Sequence, residues 1–314
     1  MRSKTSQQST TPQPNSRRVR AIILQIIAEV MFGLSFMFTK EATDTVTPLQ
    51  LLSWRFTLAA VLFFILIRLG FFKVNFRGKD LKSALLLGLL HPICYFLCEN
   101  KGIELTSASE SGTIIATVPI FALLFSILFL KIRPSRNQTC GILITLAGVL
   151  LLVLNQQSKP TFNLMGYLLL FGCVAAYSIF AILSVKAEEF TSVEKACVMI
   201  FSGALFFTVL NIIIEVISGD FSSFIRLPFT NRAFLSAILY LGIGSSIIAF
   251  TFNNYGIEVL GTTASASFAA ISTLVSVLAG IVFLHEPFSL LQGTATLLII
   301  AGVFISNRTG GKAD

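Results

Sequence analysis

FLCENKGIE (residues 96–104) opens a stretch that runs to Val149, and FTFNNYGIE (250–258) opens a second that runs to Val303 in the same register. The two align without a gap at a constant offset of 154 residues (250 − 96). That offset pairs Asn100 with Asn254, Gly102-Ile103-Glu104 with Gly256-Ile257-Glu258, and Ser111 with Ser265. Further along it pairs Phe129-Leu130 with Phe283-Leu284, Ser135 with Ser289, Gln138 with Gln292, and Ala147-Gly148-Val149 with Ala301-Gly302-Val303. Shared apolar composition would not fix the polar and glycine positions, so the stretch reads as an internal duplication.

The surrounding chain says what is duplicated. Of 314 residues, 54% are hydrophobic and 12% charged, about half the charged share of an ordinary soluble domain. With a mean hydropathy of +0.83, this is the composition of a membrane protein. The net charge of +8 would suggest nucleic acid in a soluble chain, but here the basic residues sit in short gaps between apolar runs, where they orient the chain. No nucleic-acid partner is expected. Cys94, Cys98, Cys140, Cys173 and Cys197 all lie inside apolar runs without metal or redox spacing, and they read as small buried hydrophobes.

Residues 1–20 form a polar tail that ends in Arg17, Arg18 and Arg20, expected to be disordered and cytoplasmic. The apolar run from Ala21 to about Thr39 is longer than a signal-peptide core and lacks a small-x-small cleavage site, so it is retained as a helix. Runs of roughly 20 residues, the length a bilayer demands, follow near 49–69, 81–101, 107–130, 137–155, 163–186, 193–217, 233–253, 262–284 and 288–306. The expected architecture is an all-α membrane protein of ten transmembrane helices. Thr47-Pro48, Ser107-x-x-Glu110 and Thr191-x-x-Glu194 carry helix-start chemistry. The links from Lys131 to Asn137 and from His285 to Ser289 each hold a proline, Pro134 and Pro287.

Alternate gaps differ sharply in basic residues. The N-terminal tail, the even-numbered gaps and the C-terminal tail hold 17 Lys and Arg, the odd-numbered gaps hold 5, and Arg55 is the remaining one of 23. Both termini are therefore expected in the cytoplasm of a plasma-membrane protein. A five-span repeat is odd, so the second copy enters the membrane the opposite way. The division is a first repeat over 21–155, a second over 161–307, and a cytoplasmic tail over 308–314. Two inverted halves create a central site that opens to either side by alternating access, which implies transport. No His-Glu-x-x-His, phosphate-binding glycine loop or Gly-x-Ser-x-Gly appears, so no enzyme, metal or cofactor is expected. No ring of charges suggests a channel filter.

Gly102-Ile103-Glu104, Thr106-Ser107-Ala108, Pro119, Gln138 and Ala147-Gly148-Val149 form one copy of a pattern. Gly256-Ile257-Glu258, Thr262-Thr263-Ala264, His285-Glu286, Gln292 and Ala301-Gly302-Val303 form the other. The doubled pattern resembles the EamA-type transporters of the drug/metabolite transporter superfamily. The resemblance covers all but the tails, and implies ten helices with both ends cytoplasmic and secondary export of small metabolites or drugs. Two departures break the symmetry. Pro119 is matched by Thr273, and the acidic residue after the ninth span, Glu286, is matched by Ile132.

Ionisable groups inside the apolar runs nominate the solute and proton pathway, because their insertion is costly unless they face the bundle interior. Glu29 lies near the middle of the first span with Gln25, Gly33 and Phe36 on its face. Ala28-Glu29-Val30 also resembles the first helix of small multidrug-resistance proteins, where a membrane glutamate exchanges protons for drug. His91 precedes Pro92 at the middle of the third span and begins a stripe with Tyr95 and Glu99. Ser245, Ala249 and Asn253 form the matching stripe in the eighth. Arg55, beside Trp54, either snorkels to the interface or pairs with Glu99, Glu110 or an anionic group of the solute. Glu110 either caps its helix or joins the pathway. The chain's 30 Phe are expected mostly to face lipid, with Phe32 and Phe36 near Glu29 placed to contact a planar or cationic solute. Helix packing is expected at the Ala264, Ala266 and Ala270 face.

The function expected is an exporter of a small-molecule solute, with protons exchanged at Glu29, in a lipid bilayer as monomer or homodimer. An uncoupled facilitator and a passive channel are the alternatives. The cavity is expected between spans one to four and six to nine.

Overall fold

The structure is a computed structural model that describes residues 15–130, 135–157, 163–261, 264–265 and 268–307. The tail before Asn15, the C-terminal tail, the Lys131 to Pro134 part of the first proline link, Thr262, Thr263 and Ala266 lie outside the described residues.

Helix α1 (Asn15–Thr43) begins six residues before the expected Ala21, because Arg17 at its start reaches Glu258 at 3.1 Å and gives the polar turn a partner. Helix α2 (Pro48–Arg68) starts on Thr47, whose hydroxyl and Gln50 form a reciprocal capping box with Pro48 at the first position. The third apolar run is broken into α3 (Leu81–Gly88), a π-helical segment at Leu89–Cys94 and α4 (Tyr95–Glu104). The fourth divides into α5 (Ala108–Ile115), capped by Ser107, and α6 (Val118–Leu130), which carries Pro119 in its first turn. Then come α7 (Arg136–Gln157), α8 (Leu164–Lys186) and α9 (Ser192–Ser218), the last with the expected Thr191/Glu194 capping box.

A helix that the apolar runs do not announce, α10 (Phe221–Thr230), bridges to the next span. The eighth run comprises α11 (Arg232–Leu239), a second π-helical segment at Tyr240–Ala249 and α12 (Phe250–Leu260). The chain closes with α13 (Ala269–Phe283) and α14 (Leu290–Asn307). Among the described residues every regular element is a helix. Seven helical stretches are long and apolar enough to cross a membrane, and three shorter apolar helices lie at 136–152, 269–283 and 290–306. The chain is an all-helical, multi-pass membrane protein.

Packing joins distant parts of the sequence. Helix α1 lies against α13 and α12, while α8 lies against α6 and α4; α2 pairs with α9, and α7 with α14. The α7–α14 seam is set by glycine. A Cβ on Gly141 would collide with the Gly302 carbonyl and Ser306, one on Gly148 with Ile299 and the Ala295 carbonyl, and one on Gly302 with Thr145 and the Gly141 carbonyl. Small residues seven apart on both helices let the backbones touch. Of the expected alanine face, Ala264 is exposed and Ala270 is half-buried. Gly33 brings α1 onto the Ser272 carbonyl and Val275 of α13.

The expectation that phenylalanine mostly faces lipid fails at the centre. Ten Phe among the described residues are buried, and Phe56 touches Phe96, Phe207 and Phe250 at centroid separations of 5.5, 5.4 and 6.4 Å. Large rings fill the gaps that small residues leave between helices. The exterior mixes aliphatic and aromatic side chains: Leu85, Leu150, Leu154, Ile217 and Leu290 are exposed, and so are Phe64, Phe71, Phe229, Phe283 and Phe304, as a lipid-facing surface requires. Cys173 and Cys197 are buried as expected, whereas Cys140 is exposed.

Candidate functional site

Pro92 removes a backbone donor from the third apolar run and crowds the preceding turn. The chain yields at His91, whose φ of −141° and ψ of 105° are not helical, and the ladder widens over Leu89–Cys94. The eighth run has no proline, yet it widens over Tyr240–Ala249. Its sequence there, LGIGSS (241–246), supplies two glycines and two serines, and a Cβ on Gly242 would press on the Arg55 carbonyl. His91 and Ser245 are related by the 154-residue offset, so both distortions fall at the same place in the repeat.

Between these two breaks lies a cavity. Its wall holds two carboxylates, Glu29 and Glu99, set among Phe32, Phe36, Tyr95, Phe96 and Tyr177. His91 also faces it, with the hydroxyls of Ser35, Ser245, Ser265 and Ser272. Both glutamates are held by hydrogen bonds, Glu99 also by Asn100 Nδ2, which donates to its Oε2 at 3.4 Å. Gln25 Nε2 donates to Glu29 Oε1 at 2.9 Å and to Asn253 Oδ1 at 3.0 Å, and Asn253 Nδ2 donates to the Tyr177 hydroxyl at 2.9 Å. The Tyr95 hydroxyl donates to Glu99 Oε1 at 2.6 Å.

His91 stands between the two networks. Its ring lies 4.6 Å from Tyr95, 5.4 Å from Tyr177 and 5.0 Å from Phe180, and its Nδ1 has no hydrogen-bond partner among the described residues. The arrangement presents acceptors on an aromatic wall. It suits a ligand with an apolar or planar body and a donating or cationic group.

Seven of the ten residues nominated from sequence line this cavity: Glu29, Phe32, Phe36, His91, Tyr95, Glu99 and Ser245. Asn253 stands one layer behind, holding Gln25 against Glu29. Arg55 is not where two of its expected roles would put it. It does not snorkel, being 1% exposed, and no carboxylate lies within ion-pair distance among the described residues. Its Nε donates to Ser246 Oγ and its Nη2 to Ser245 Oγ, both at 2.9 Å, with the guanidinium 4.3 Å from the Phe96 ring centre. Trp54 is half-buried, and its indole donates to the Phe224 carbonyl at 3.2 Å. Glu110 stays at the start of α5, bound by the Ser107 hydroxyl through its amide at 3.1 Å and approached by Gln292 Nε2 at 3.5 Å, away from the cavity. Sequence reading missed Tyr177 and Ser35, because a tyrosine or serine on an apolar helix carries no charge to mark it.

Known proteins agree with this picture at the level of family. The sequence model of the EamA-like transporter family matches residues 19–154 and again 164–308. The uncharacterized transporter YcxC of Bacillus subtilis is 30% identical over 289 residues, covering 91% of this chain and 92% of its own length. An uncharacterized transporter of Archaeoglobus fulgidus is 26% identical over 292 residues, covering 91% and 98%. The uncharacterized inner membrane transporter YedA of Escherichia coli K12 is 26% identical over 287 residues, covering 88% and 87%. One crystal structure superposes with a TM-score of 0.58 at 21% identity, covering 92% of this chain and 97% of its own, which shows a common fold. With a double family match spanning nearly its whole length and a helical, lipid-compatible fold, the chain belongs to the EamA-like transporter family and is a membrane transporter.

Proposed function

We propose that this transporter carries a small organic solute out of the cell by alternating access, exchanging it for a proton at Glu29. The observation that carries the reading is the cavity itself: two glutamates face it between two helices that break at repeat-related positions. Broken helices around a buried polar site are what a carrier needs to bind and release there. The solute class favoured by the wall is an amine or other donor on an apolar or planar body.

Ten crossings, as inverted repeats over 21–155 and 161–307, complete the proposal. Reciprocal packing supports it: α1 on α12 and α13 mirrors α8 on α4 and α6, and α2–α9 and α7–α14 pair across the same pseudo-axis. So does the sorting of loops. Arg17, Glu258, Ser192, Glu194 and Lys79 meet at one end of the bundle. Lys40 with Glu104, and Asn231 with Thr45, meet at the other. By basic-residue bias the first end is cytoplasmic, and with it the N-terminus.

A thermal-shift screen of amino acids, nucleosides, sugars and cationic drugs identifies the solute. Transport of that solute into reconstituted vesicles then responds to an imposed pH gradient in the parent and loses that response in Glu29→Gln. A gradient response that survives the substitution sinks the coupling role.

A further inference from the structure

Glu286 lies outside the cavity, yet its carboxylate is densely bound. Oε1 accepts from the Ala108 amide at 2.7 Å, and Oε2 accepts from the Ser109 amide at 3.0 Å and the Ser109 hydroxyl at 2.6 Å. The carboxylate therefore clamps the loop after α13 onto the positive end of α5, across 177 and 178 residues of chain.

The approach is prepared by the backbone. Glu286 donates its own amide to the Gly280 carbonyl at 3.0 Å, and His285 takes a φ of 54°, a conformation that favours glycine. A Cβ on Gly280 would strike Ser109 and Glu286. Below the clamp, α5 and α13 stay in contact: Thr273 Oγ1 donates to the Gly112 carbonyl at 2.9 Å, and a Cβ on Gly112 would strike Ser276. The next residues down, Ile115 and Ser272, line the cavity. The seam is thus a lid over one end of the site.

The other end is built differently. Past the Ala116–Thr117 break, α6 packs on α8 rather than continuing along α13. The repeat partner of Glu286 is Ile132, whose side chain can accept no hydrogen bond.

We propose that Glu286 latches a gate formed by α5 and α13 at the end opposite the N-terminus, so that the transporter rests open toward the N-terminal end. This rests on the transporter reading above, because a gate needs a cycle to serve. With the N-terminus cytoplasmic, the resting site loads from the cytoplasm, as an exporter requires.

The test is a full-length protein with its five cysteines replaced, carrying Ser272→Cys and labelled by a membrane-impermeant maleimide in right-side-out and inside-out vesicles. Labelling proceeds chiefly from the N-terminal side. Adding Glu286→Ala raises the rate from the opposite side by about ten-fold, and Glu286→Gln, which keeps one acceptor oxygen, by about three-fold. An opposite-side rate unchanged in both variants overturns the proposal, and a loss of thermal stability without that change would reduce Glu286 to a helix cap. Labelling of the parent chiefly from the opposite side also overturns it. The assay reads conformation without solute, so a protein that labels as described but transports nothing contradicts the transporter reading and not the gate.

Discussion

Arg55 holds a positive charge in the protein interior on two serine hydroxyls and a phenyl face, with Glu99 nearby but beyond ion-pair reach. Burial at that depth leaves no water to replace a lost partner. Truncation in Arg55→Ala strands Ser245 and Ser246 and leaves a void, so thermal unfolding in detergent should show a loss of about 2–4 kcal/mol. Arg55→Lys should recover only part, since one ammonium cannot span both hydroxyls. An unchanged melting temperature in Arg55→Ala would refute the assignment. Tyr95→Phe is milder: it removes the donor to Glu99 and should cost about 1–2 kcal/mol in the same measurement. At this scale the sequence marked charge well and context poorly. Glu29, Glu99 and His91 stood out as costly in hydrocarbon, and all three face the cavity. The snorkelling expected of Arg55 does not occur, and its actual partners were not legible because Ser245 and Ser246 lie 190 and 191 residues away and carry no charge.

Among the helices, the α7–α14 pair depends on absent side chains. Gly148→Leu and Gly302→Leu each push a branched side chain into the opposite backbone and should cost about 1–3 kcal/mol in thermal unfolding. Gly172→Ala, whose Cβ would meet only Cys98 at 3.5 Å, serves as the control and should be near neutral. Equal losses in all three would deny that the glycine seam matters. The repeat marked Gly148 and Gly302 as one position of the duplicated unit, but their role in packing was not legible, because it depends on which two helices meet. The capping boxes at Thr47 and Thr191 were legible, each needing only a four-residue pattern. Helix α10 and the widened Tyr240–Ala249 segment were not. The first is a 10-residue amphipathic helix too short for a span-length window, and the second lacks the proline that announces its counterpart at His91.

For the whole molecule, composition alone gave the membrane class, and the contacts of α1 with α12 and α13 and of α8 with α4 and α6 are those the proposed pair of halves requires. A cavity lined by Glu29, His91 and Glu99 was legible from charges in apolar runs, while its aromatic wall was not, because which phenylalanines turn inward depends on long-range contacts. A reporter fused after Asp314 should read cytoplasm if the halves are inverted with both ends inside, and an external signal would break that arrangement. Alternating access through one cavity is the central claim, and counterflow tests it most directly. Vesicles bearing the protein are preloaded with unlabelled solute and diluted into a trace of labelled solute with no ion gradient. The account predicts a saturable, transient accumulation of label above its equilibrium level, because each carrier returns loaded. Uptake that rises linearly with concentration and never overshoots would mean an open pore, and would contradict it.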